Sequence, residues 1–133
     1  MVGRSGIRVL DCVRHPLAVV TVATYTMGQA LAAARVILVP LQTDARLSAA
    51  DKAQITQCIA TVDDALANLR ADNTLPTNKR TSIPNALKDR CTVLDVMDRT
   101  RAFAPGELYN AIDLMFDCQV ALRAGTPTID TTL

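Results

Sequence analysis

An all-α fold, an antiparallel up-and-down four-helix bundle with a short basic N-terminal arm, is what this 133-residue sequence predicts, on three observations. Four segments repeat apolar residues at helical spacing. Short polar stretches with proline or glycine separate them. Aromatics are only 3% of a chain that is 50% hydrophobic. A core of Ala, Val, Leu, Ile and Met suits closely approaching helices better than stacked sheets. Short connections make successive helices antiparallel neighbours. One domain is expected at this length, with an arm at 1–15, the bundle at 16–125, and a tail at 126–133 that is loose or docked on a partner.

Residues 4–15, RSGIRVLDCVRH, read as a short basic helix with Ile7, Leu10 and Val13 on one side. Pro16 suits the first turn of the next helix, where its missing N–H costs nothing. That first bundle helix is expected at about 16–39 and is stopped by Pro40. It has no charge before Arg35 and is apolar over most of its circumference, so sister helices, a partner or lipid must cover it. Val19, Val20, Ala23, Met27, Ala30, Ala34, Ile37 and Leu38 fall on one arc. Thr21, Thr24, Tyr25, Gly28, Gln29, Ala32 and Arg35 fall on the other, weakly polar arc, which makes them the candidate interface. Gly28 with Ala32, and Ala30 with Ala34, are small-residue steps that let helices approach closely. The segment 17–39 is also long enough for a single membrane span with a basic flank. Basic residues before an apolar run with small residues near its end are signal-peptide ingredients as well, but the apolar run continues past them.

The second helix is expected at 48–72. Ser48 caps it, Asp51 stands three residues on, and Ile55, Ile59, Val62, Leu66 and Leu69 form its stripe. DNTLPTNKR, 72–80, is a loop. The third helix, 82–103, turns Ile83, Leu87, Cys91, Leu94 and Met97 inward. The fourth, 105–124, opens at Pro105, with Glu107 near the positive end of its dipole and Leu108, Ile112, Met115 and Leu122 as its stripe. Gly125 is its expected C-cap, and Pro127 prevents resumption.

Cysteine positions give a sharper expectation. In antiparallel hairpins, residues equidistant from a turn share a level. The midpoint of Cys91 and Cys118 falls on the Ala104–Pro105 turn, and that of Cys58 and Cys91 in the loop containing Pro76. Cys58, Cys91 and Cys118 are therefore expected at one level, as free buried thiols or as a disulfide with a spare thiol. A metal site is disfavoured because zinc wants four ligands and no fourth Cys or His stands at that level.

A catalytic set is not discernible. His15 is the only histidine and has no local partner for general-base work. Asp113 and Asp117 lie one turn apart on the fourth helix, yet the single Glu and lone His do not supply the Glu-x-x-His pattern of di-iron bundles. Glycines form no phosphate-cradling loop, and Ser48 and Ser82 sit at helix starts. With 14 basic and 13 acidic residues the net charge is +1, which removes the electrostatic case for nucleic acid. No cofactor is expected, and the chain is read as non-enzymatic. The leading expectation is a structural or accessory subunit that acts through helix packing with other protein subunits. The alternatives are a single-pass membrane-anchored accessory protein, with its span at about 17–39, and a small binding module built on the cysteine level.

Overall fold

The computed structural model describes residues 22–131. Among these the chain is mostly helical, with four α-helices and one two-stranded sheet. In order they are β1 (Ala23–Thr26), α1 (Met27–Leu38), α2 (Ala49–Asn68), α3 (Ser82–Thr100), α4 (Tyr109–Ala124) and β2 (Thr128–Thr131), with short 3-10 turns at Val39–Thr43 and Thr77–Lys79.

The strands correct the all-α expectation and the start of the first helix. Residues 23–26 are extended, and α1 begins at Met27, not near residue 16. Thr24, Tyr25 and Thr26 belong to the β-branched and aromatic types that favour strands. Thr26 also closes a capping box: its hydroxyl accepts from the Gln29 N–H at 3.1 Å, and the Gln29 side chain accepts from the Thr26 N–H at 3.0 Å. These two bonds satisfy free donors at the helix start and fix its position. Antiparallel pairing places Ala23 opposite Thr131, Thr24 opposite Asp130, Tyr25 opposite Ile129 and Thr26 opposite Thr128. Within the segment 126–133, expected to be loose or docked on a partner, residues 128–131 thus pair with their own chain.

The strand also interrupts the 17–39 span. α1 has 12 residues, and among the described residues no helix is long and apolar enough to cross a membrane. The arm at 1–15, with Cys12 and His15, and the early part of the expected first helix lie outside the described residues.

The remaining helices are shorter than their periodicity suggests, because extended or left-handed residues bound them. Ser48 caps α2, its hydroxyl accepting from the Asp51 N–H at 3.1 Å. The helix stops at Asn68 rather than Asp72, since Leu69 is extended and a turn follows in which Asn73 has φ 65°. Arg101, extended, ends α3. Its guanidinium makes two bonds to the Asp51 carboxylate, at 2.9 and 3.0 Å, and so ties the end of α3 to the first turn of α2. Pro105 does not open α4. Gly106 adopts φ 82°, residues 105–108 form turns, and Tyr109 begins the helix. Gly125, at φ 74°, is the left-handed C-cap of α4.

Packing is a ring: α1 on α2, α2 on α3, α3 on α4, and α4 back on α1. Inside it lie Met27, Leu31 and Leu38 of α1, Ile55 and Val62 of α2, Leu87 and Leu94 of α3, and Leu114 and Met115 of α4, each fully buried. Removing a side chain of this size from water stabilises by about 1.5–3 kcal/mol. β2 returns along α4, burying Ile129, and Thr131 donates its hydroxyl to Asp113 at 3.4 Å.

Candidate functional site

Among the described residues, three surface or interior features deserve the name of a site: the outer face of α1, the buried thiols, and the groove between α3 and α4.

The outer face of α1 follows from where the core stops. Met27, Ala30, Leu31, Ala34 and Leu38 turn inward. Gln29, Ala32, Val36 and Val39, at positions i, i+3, i+7 and i+10, line the opposite side and are all exposed. Val36 is 73% exposed, the most open of the large apolar side chains. Arg35 stands next to this stripe, but its guanidinium turns aside to Asp63 of α2 at 2.7 Å. The stripe therefore presents methyl groups and one amide, with its neighbouring charge drawn toward α2.

The structure divides the predicted interface residues. Gln29 and Ala32 lie on the open stripe, and Arg35 borders it. Gly28 lies at the end of the α1–α2 contact, its N–H reaching Asn73 Oδ1 at 3.4 Å. Thr24 and Tyr25 are in β1, where the Thr24 hydroxyl donates to Asp130 at 2.7 Å. Thr21 is outside the described residues. The helical arc drawn through all seven fails at Thr26, where strand becomes helix.

Cys58, Cys91 and Cys118 are buried free thiols on α2, α3 and α4. Burial pushes the Cys58 thiol up to about 11 and the Cys118 thiol up to about 12. Cys91 is also raised to about 12, by burial first and then by the neighbouring thiols of Cys58 and Cys118. Its Sγ donates to the Ile112 carbonyl at 3.7 Å. Thiols held protonated in this way are poor nucleophiles and poor metal ligands at neutral pH. Among the described residues no group of three His, Cys, Asp or Glu is arranged to hold a metal ion.

The groove is a feature the sequence reading missed. Cys91 and Asp95 of α3 and Tyr109, Ile112, Asp113 and Phe116 of α4 line a recess of about 320 Å³. On its α4 side Tyr109 and Phe116 are 42% and 45% exposed, and Val120, one turn further along α4, is 50% exposed beside a second recess that it shares with Ile129 and Asp130. The signal was present: these three fall off the stripe of Leu108, Ile112, Met115 and Leu122, so α4 has more apolar residues than one inner face needs.

Compared with known protein families, with curated proteins and with solved structures, the chain matches none.

Proposed function

We propose that this chain is a non-enzymatic structural or accessory subunit, an antiparallel up-and-down four-helix bundle that docks a helix of another protein subunit on the outer face of α1. The topology is supported by contacts at both ends of the ring. Arg46, after α1, meets Glu107, before α4, while Gly28 at the start of α1 meets Asn73 of the α2–α3 connection. Each pair joins connections that an up-and-down order puts at the same end.

The observation that carries the docking reading is the exposure of Val36 between Ala32 and Val39. Small side chains let a partner helix come close, and the apolar area gained on contact favours association. A partner helix with a matching apolar stripe suits this surface better than a charged ligand, because Arg35 is already engaged with Asp63.

Sedimentation of the full chain, purified under mild conditions from cells that make it, tests the reading. The wild type is expected in an assembly larger than one chain. Val36→Asp, which alters no buried contact, is expected to sediment as a monomer with the wild-type circular dichroism and melting temperature. A wild-type chain that is monomeric at every concentration, or an assembly indifferent to Val36→Asp, would overturn it.

A further inference from the structure

A further recess, of about 290 Å³, lies between α2 and α3, on a different side of the ring from the open face of α1. Its α3 wall is apolar: Val93 and Met97 line it, and Val96, 47% exposed, borders solvent. Gln54 stands on the α2 side, and the Arg101–Asp51 ion pair holds one end.

Gln54 Oε1 is buried and has no hydrogen-bond partner, the one such side-chain atom among the described residues. A buried acceptor left in this way costs free energy that a donor would return. The neighbouring donors are spent elsewhere. The Arg101 guanidinium is committed to Asp51 and to the Thr100 hydroxyl. The Thr92 hydroxyl donates to the Lys88 carbonyl at 3.3 Å. The terminal torsion of a glutamine is soft, so a donor entering the recess can turn the oxygen toward itself.

We propose that this recess is a socket for a tryptophan side chain of a partner protein, whose indole N–H donates to Gln54 Oε1 while its ring lies against Val93, Val96 and Met97. An indole joins a large apolar body to one donor and no acceptor, which matches apolar walls with one unpaired oxygen. A tyrosine hydroxyl would bring lone pairs that the spent donors leave unmet. The Met97 thioether and the Arg101 guanidinium both favour an aromatic ring. Stacking uses the face of the guanidinium and leaves its N–H edge on Asp51 and Thr100. The volume is at the lower limit of the roughly 300–1,000 Å³ in which pockets enclose a free small molecule, so one inserted side chain suits it better. The chain itself has no tryptophan, so the ring comes from a different protein and not from a second copy. This reading is independent of the docking surface on α1.

The test adds N-acetyltryptophanamide to the full chain and follows its methyl signals by NMR. Those of Val93, Val96 and Met97 are expected to shift, with half-saturation on the order of millimolar for so small a probe, while those of Val36 on α1 stay in place. The same probe methylated on the ring nitrogen lacks the donor. At one sub-saturating concentration it should produce shifts about tenfold smaller. Gln54→Leu should erase the difference between the two probes. Because that change removes an unpaired acceptor, the variant should melt no lower than the wild type.

Equal responses to the two probes, or shifts centred on Ile112 in the α3–α4 groove, would overturn the proposal. So would binding of free indole without binding of N-acetyltryptophanamide, since the occupant would then be a free small molecule. Shifts at Val93 and Val96 that follow the concentration of the chain alone would replace the partner by a second copy. If Gln54→Leu does not fold, the ratio between the two probes on the wild type still decides.

Discussion

Arg46 closes on Glu107 across 61 residues of sequence and binds Asp44 with the same guanidinium. Its Nη1 also donates to the Ala102 carbonyl at 3.2 Å, and the guanidinium lies 4.8 Å from the centre of the Phe103 ring. One side chain therefore joins the α1–α2 connection to the α3–α4 connection. Glu107 meanwhile accepts from the Ala104 N–H at 2.9 Å, closing the turn around Pro105, while Gly106 at φ 82° keeps that turn from continuing as a helix.

This clasp gives the fold an acid limit. The Arg46 guanidinium, then the Ala104 N–H, lower the Glu107 carboxyl from 4.5 to about 2. Hydrogen bonds from the Arg46 side chain and backbone lower Asp44 from 3.8 to about 2. Both groups are more acidic folded than unfolded. Their stabilisation is complete above the unfolded values and is lost as pH falls toward 2. Urea unfolding at a series of pH values should show wild-type stability declining through that window. Arg46→Gln should be less stable at neutral pH and should lose less on acidification. Parallel curves for the two proteins would contradict the assignment.

The buried thiols set a limit at the opposite end. Unfolded cysteines ionise near 9.0, whereas the folded ones hold their protons to about 11 or 12. Between those values the unfolded chain has released protons that the folded chain keeps, so stability falls as pH rises above 9. A thiol-reactive dye at pH 7.5 should leave Cys58, Cys91 and Cys118 unmodified in the native protein and modify all three in urea. Rapid native modification of any of them would show that its burial is transient.

Two glycines should respond oppositely to alanine. A Cβ at Gly28 would meet Leu69 Cδ2 at 3.7 Å, an ordinary contact, and alanine is the better helix former. Gly28→Ala is expected to stabilise by up to about 1 kcal/mol. At Gly125 nothing lies within 4 Å of the added atom, but φ is 74°. Gly125→Ala is expected to destabilise by about 1–2 kcal/mol through the left-handed backbone alone. Chemical denaturation of both variants measures the two signs.

How far the sequence could be read depended on whether the deciding contact was local. Ser48 capping α2, Gly125 ending α4 and the inward stripes of α2 and α3 are written within one or two helical turns, and all were legible. The Thr26–Gln29 capping box was equally local, but the continuous apolar run from Leu17 obscured it; periodicity alone does not separate a short buried strand from a buried helix. The Thr24–Tyr25–Thr26 triplet was the available cue. Its partner, Thr128–Thr131, lies over a hundred positions away, and nothing near either segment announces the pairing. At the early end of α3, likewise, Arg101 meets Asp51 of α2, 50 positions away, a contact that no local pattern announces.

The β1–β2 ribbon also bears on the order in which the molecule assembles. Thr24 and Asp130, which touch in it, are 106 positions apart, whereas each helical hairpin brings together segments close in sequence. Contacts over long separations repay their loop-closure entropy only after nearer ones have shortened the path. The ribbon is thus a seam that closes after the helices have gathered and opens before they part. A weakened Thr24–Asp130 pair should quicken unfolding while leaving the refolding rate nearly unchanged.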